Sequence, residues 1–139
     1  MVVQEKKDEK NCCFYVSDFH LEMILVPYIN NKIEKNISIL SEKNLRETIE
    51  ILISKMNLDE KNKQKILNLG WEGKEQIEKN SNVIIIGSKK YIEEKNEEIK
   101  IFNAESVLDC YNFEEEKNNI NEIMSNYKNS LNTLGKKNF

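Results

Sequence analysis

Gly87-Ser88-Lys89-Lys90 follows the apolar run Val83–Ile86 and precedes a charged segment, residues 91–100. A strand, a glycine turn and a helix start can present free backbone amides to a phosphate. A Walker loop, however, needs GxxxxGK[ST], long enough to wrap the anion. Here the glycine stands directly before Ser-Lys, so the wrapping loop is missing, and the GxGxxG fingerprint is absent too. The spacing predicts a tight turn at Gly87 and a Ser88 cap, with Lys89 and Lys90 beside a helix start that suits an anion. No cofactor is expected from these motifs.

His20 stands two residues after Asp18. A carboxylate that close can orient an imidazole acting as base. No nucleophile accompanies the pair, because Ser17 and Ser41 read as helix caps and the cysteines fall within strands. A local structural His20, a ligand contact and a catalytic base all stay open. Trp71 can stack on a planar ligand or anchor an interface, where tryptophan is enriched; packing is the plainer reading. The cysteines number three, Cys12, Cys13 and Cys110. Adjacent strand residues face opposite ways, so Cys12 and Cys13 cannot serve one partner. With no CxxC pair and a single histidine, no metal site is expected, and reduced buried thiols are the simpler reading.

The elements that must position these residues alternate along the chain. Cys12 to Ser17 reads as a strand covered on both faces. Leu21, Ile24, Leu25, Tyr28, Ile29 and Ile33 recur at helical spacing, with Ser17 or Asp18 as N-cap and a kink or restart expected at Pro27. Ile37 to Leu40 is a second strand. Leu45, Ile49, Leu52, Ile53 and Met56 mark a helix with an Asn44–Glu47 capping box. Lys65 to Trp71 reads as a third, weaker strand, Asn82 to Gly87 as the clearest one, and Ser106 to Tyr111 as a fifth. A terminal helix is expected from Asn112, its N-cap, to Gly135.

Alternating strands and helices imply parallel strands joined by right-handed crossovers. The expected fold is therefore an α/β, three-layer, doubly wound, mostly parallel sheet of about five strands, RecA-like or Rossmann-like. Residues 1–10 are expected as a disordered tail, 11–134 as one domain and 135–139 as a C-terminal tail. In such a sheet ligands bind outside the carboxyl ends of the strands. That edge collects Ser17, Asp18, His20, Ser41, Glu42, Trp71, Gly87, Ser88, Lys89 and Asn112, although polar caps and turns explain most of them.

The segment CCFYVSDFHLEMILVPYINNKIEKNISILSEKNLRETIEILIS resembles the opening of the MEDS domain, the sensory domain of DcmR-type regulators. VIIIGSKKYIEEKN would then be a later core strand and its helix. The resemblance implies a RecA-like fold without a working phosphate loop, a sensing or scaffolding role, and a counterpart for His20 at the start of the first helix.

The formal net charge is −3, with basic and acidic side chains well mixed. Nucleic-acid binding wants a clustered basic footprint, so none is expected. No apolar run approaches the ~20 residues that span a membrane, and the charged N-terminus lacks a signal-peptide core. A cytoplasmic protein is expected. Three functions fit: a non-catalytic regulatory or sensory domain binding a small ligand or protein partner at the sheet edge; a small enzyme acting on a nucleotide or phosphate-bearing substrate; and a structural or interaction protein, for which a homodimer is one form.

Overall fold

The computed structural model describes residues 9–138; residues 1–8 of the expected tail lie outside the described residues. In chain order the elements are β1 (Glu9–Tyr15), α1 (Asp18–Asn31), β2 (Ile37–Ser41), α2 (Arg46–Lys55), α3 (Glu60–Leu67) and β3 (Asn82–Ile86). There follow α4 (Lys89–Glu98) with a 3-10 turn (Ile99–Phe102), β4 (Ser106–Asn112), α5 (Phe113–Glu116), α6 (Ile120–Met124), β5 (Asn129–Asn132) and β6 (Gly135–Asn138). Strand order is β2-β3-β4-β1-β5-β6. The first five strands are parallel, and β6 pairs antiparallel with β5 at the edge. The three-layer α/β class holds. β1 lies between β4 and β5, away from β2, whereas in the common doubly wound orders the first two strands are neighbours.

Alternation along the strands sorts the core into two layers. Cys13, Tyr15, Ile39, Ile84, Ile86, Leu108 and Cys110 face α1, α2 and α3. Cys12, Leu40, Val83, Ile85, Val107 and Tyr111 face α4 and α6. The adjacent thiols Cys12 and Cys13 thus point to opposite faces, both free and buried.

The connection from β2 to β3 runs in the opposite direction across the sheet from that between β1 and β2. A constant hand then requires the opposite face. The α2–α3 hairpin packs on the first face, but residues 72–81 pass round the β2 edge. Ile77 joins the second core, Glu75 pairs with Lys95 of α4 at 2.6 Å, and the Glu78 amide bonds Ser38 Oγ at 3.0 Å. The turn uses Gly73 at φ +89°, where an added Cβ would sit 3.3 Å from the Ser41 carbonyl. This segment also covers the β2 edge, which would otherwise expose unpaired backbone.

Several expectations change. Lys65 to Trp71 is the end of α3 and a turn, not a strand, because a short apolar run fits either element. The terminal helix breaks into α5, α6 and the β5–β6 hairpin. Its many asparagines are weak helix formers, and β5 gains ladder bonds beside β1. Strand β1 includes Lys10, which pairs with Val107 of β4, and β6 occupies residues expected as a C-terminal tail. Helix α1 runs through Pro27, which is exposed, so the unpaired carbonyl one turn back lies on the solvent side. In α2 the capping box is replaced by a shorter contact, Arg46 N–H donating to Asn44 Oδ1 at 2.8 Å.

Candidate functional site

Four strands end along one edge, and their following residues frame a cleft of about 220 Å³ lined by Tyr15, Glu42, Lys43, Gly87, Ser88, Asn112 and Glu115. The sequence-predicted Glu42, Gly87, Ser88 and Asn112 come together here. Ser88 caps α4 by accepting from the Tyr91 amide at 3.1 Å, and Asn112 caps α5 by accepting from the Glu115 amide at 3.1 Å. Both caps are therefore occupied by local structure as well as facing the cleft.

The start of α4 already holds an anion. Glu42 Oε1 accepts from the Ser88 amide at 2.8 Å, where a bound phosphate would meet the helix. Gly87 makes the approach feasible, since a Cβ there would fall 2.7 Å from Glu42 Oε1 and 2.6 Å from the Tyr91 ring. On the other wall Lys43 Nζ pairs with Asp18 at 2.7 Å and lies 5.1 Å from the centre of the Tyr15 ring. Tyr15 is buried, and burial raises its hydroxyl well above the ordinary value. The cleft thus offers two carboxylates, one ammonium and one aromatic wall.

The remaining predicted residues disperse. Ser17 caps α1, accepting from the His20 amide at 3.1 Å. His20 Nδ1 accepts from the Val16 amide at 3.0 Å, which places the neutral ring's proton on Nε2 and ties the histidine to its own helix start. Ser41 is buried and bonds both backbone groups of Lys43. Trp71 is fully buried, its Nε1 donating to the Ile66 carbonyl at 2.7 Å, so it packs in the first core, away from the cleft lining. Lys89 pairs with Glu93 at 3.1 Å and lines a different cavity.

That cavity, about 630 Å³, lies over the second face between α4 and α6. Beneath its wall Asp109 is fully buried in β4. Its Oδ2 accepts from Tyr127 Oη at 2.5 Å, and Asn96 Nδ2 donates to Oδ1 at 3.1 Å. Tyr127 spends its only proton on Asp109, so at the 2.6 Å contact between the hydroxyls Tyr111 is the donor. Burial raises the Asp109 carboxyl above its usual range, opposed by Tyr127, Lys10 and Asn96.

Sequence reasoning missed Tyr15, Lys43 and Glu115, which carrying the edge rule one residue back into β1 and onward into the caps would have found. It also missed Asp109, the single charge in an otherwise buried strand. No group of three or more His, Cys, Asp or Glu side chains among the described residues could hold a metal ion. No described helix is long and apolar enough to cross a membrane. Comparison with protein families, curated proteins and solved structures finds no match.

Proposed function

We propose that this chain is a non-catalytic regulatory or sensory domain, MEDS-like and RecA-like in type, that binds a small ligand or a protein partner in the carboxyl-edge cleft. The observation that carries this reading is Glu42 bonded to the Ser88 amide, which fills the anion position that a nucleotide enzyme would keep open. The connection from β1 to α1 supports it: Val16 and Ser17 alone join them, too short a turn to wrap a phosphate. Lys43, Tyr15 and Asn112 are the ligand contacts in this reading, with Glu42 and Glu115 beside them.

The test is a thermal-shift screen of amino acids, organic acids, amines and nucleotides, followed by amide NMR on each hit. A ligand at a hundred times its Kd stabilises by ~2.7 kcal/mol. The expected hit moves the amides of Lys43, Gly87 and Ser88 and is lost in Lys43→Ala. A screen in which no compound moves these amides and no protein partner protects them from hydrogen exchange would overturn the reading. A nucleotide that displaces Glu42 and is then hydrolysed would replace it with the enzyme alternative.

A further inference from the structure

Glu22 lies in the second turn of α1 and is fully buried, its carboxyl on Thr48 of α2. Its Oε2 contacts Thr48 Oγ1, while its Oε1 is buried with no hydrogen-bond partner. An ionised carboxylate in this position would keep a buried oxygen unsatisfied, at a desolvation cost that a neutral acid largely avoids. The hydroxyl geometry points the same way. Thr48 Oγ1 also lies 3.2 Å from the Leu45 carbonyl, which can only accept. A protonated Glu22 completes a one-way relay, carboxyl O–H to Thr48 and Thr48 O–H to Leu45. An ionised Glu22 makes Thr48 choose between two acceptors.

We propose that Glu22 is a proton switch: as the neutral acid it latches α1 to α2, and loss of that proton loosens the latch beside the carboxyl-edge cleft. The link to the cleft is Lys43, which lines it and pairs with Asp18 one turn before Glu22. A carboxylate forming at Glu22 competes with Asp18 for the Lys43 ammonium and draws it off the Tyr15 ring. That the cleft holds a ligand rests on the function proposed above; the switch itself does not.

The groups around Glu22 make the response selective. On its own helix Asp18 opposes ionisation, and Lys43, on the approach to α2, favours it. The strand beneath carries Tyr15 and Cys13, with Cys110 beside them; burial keeps the Tyr15 hydroxyl and the Cys110 thiol neutral. On α2, Glu47 and Glu50 are exposed, and on α3 Glu60 and Lys63 pair with each other at 3.7 Å. Burial, the largest influence, moves the Glu22 carboxyl up to about 7.

The experiment is a carboxyl-carbon NMR titration of the full chain with labelled glutamate, from about pH 4 to about pH 9. Glu22 should titrate near neutrality, and the Thr48, Lys43 and Tyr15 signals should move with the same midpoint. In Glu22→Gln, which stays neutral, those movements should vanish. A Glu22 midpoint in the ordinary carboxylate range would overturn the proposal, as would a neutral midpoint that leaves Lys43 and Tyr15 still. Should the variant not fold, the wild-type titration decides alone. Failure to find any ligand counts against the cleft reading only.

Discussion

Glu22 and Asp109 are both fully buried, on opposite faces of the same sheet, and they differ in how many of their oxygens are bonded. Asp109 has a partner on each oxygen, in Tyr127 and Asn96. Glu22 has one threonine hydroxyl and one bare oxygen. Burial raises both groups, but bonding decides what the rise means. A satisfied buried acid pins its neighbours whatever the solvent does. A half-satisfied one sheds its buried charge by taking up a proton, and so reports pH.

The difference predicts its largest effect at Asp109. Removing the buried acid leaves its neutral partners short of bonds, typically at ~1–3 kcal/mol for each group left unpaired. Asp109→Ala leaves the Tyr111–Tyr127 pair with one hydroxyl proton that has no acceptor in the network, and Asn96 with one bond to the Ile92 carbonyl. With two such groups affected, chemical denaturation should show a loss of about 4 kcal/mol at neutral pH. A loss below ~1 kcal/mol would mean that the network stabilises nothing.

Glu22 predicts a pH-dependent effect of slightly smaller size. Its carboxyl is raised from 4.5 to about 7 on folding, so the folded state holds the proton more tightly. The group's stabilisation is fully present below about pH 4.5, falls as the unfolded chain ionises, and is gone once pH passes about 7. A shift of that size corresponds to ~3 kcal/mol. Glu72 and Glu75, lowered by their own bonds, act in the opposite sense. The measurement is therefore the difference between wild type and Glu22→Gln across pH: wild type should lose stability relative to the variant between about 4.5 and 7. Parallel profiles would remove the distinction between the two acids.

Tyr127→Phe separates bonding from charge on the second face. It deletes one hydroxyl and leaves Tyr111 Oη and Asp109 Oδ2 each one bond short. The expected cost is about 2 kcal/mol, with the Asp109 carboxyl rising further because its strongest donor is gone. An unchanged denaturation midpoint would show that water replaces the phenol.

How far these sites were legible follows from the same physics. The strands at Cys12, Ile37, Asn82 and Ser106 announce themselves, because each is an apolar run covered on both faces. Asp109 was visible within its run as a lone charge, but not its partner Tyr127, which the broken terminal helix brings back over β4. Glu22 shares a helical stripe with Leu25 and Ile29, yet periodicity alone does not say that α2 closes over it. Of the carboxyl edge, the caps Ser88 and Asn112 were legible from local rules. Trp71 was not, because its burial depends on the α3 turn that its own run disguised as a strand.

Thr48→Val should have the smallest effect and is the sharpest test of the relay. The substitution keeps the β-branched shape in α2 and removes only the hydroxyl. Glu22 then has no partner on either oxygen, and the Leu45 carbonyl loses its Thr48 contact. The cost should be about 1 kcal/mol near pH 5, where Glu22 is neutral in the folded chain. In the relay Thr48 accepts from the neutral acid and so favours it; removing the hydroxyl should then lower the titration midpoint. A midpoint that rises in Thr48→Val would mean that Thr48 donates to the carboxylate and holds the Glu22 carboxyl down, and a plain hydroxyl-to-carboxylate bond would then replace the relay.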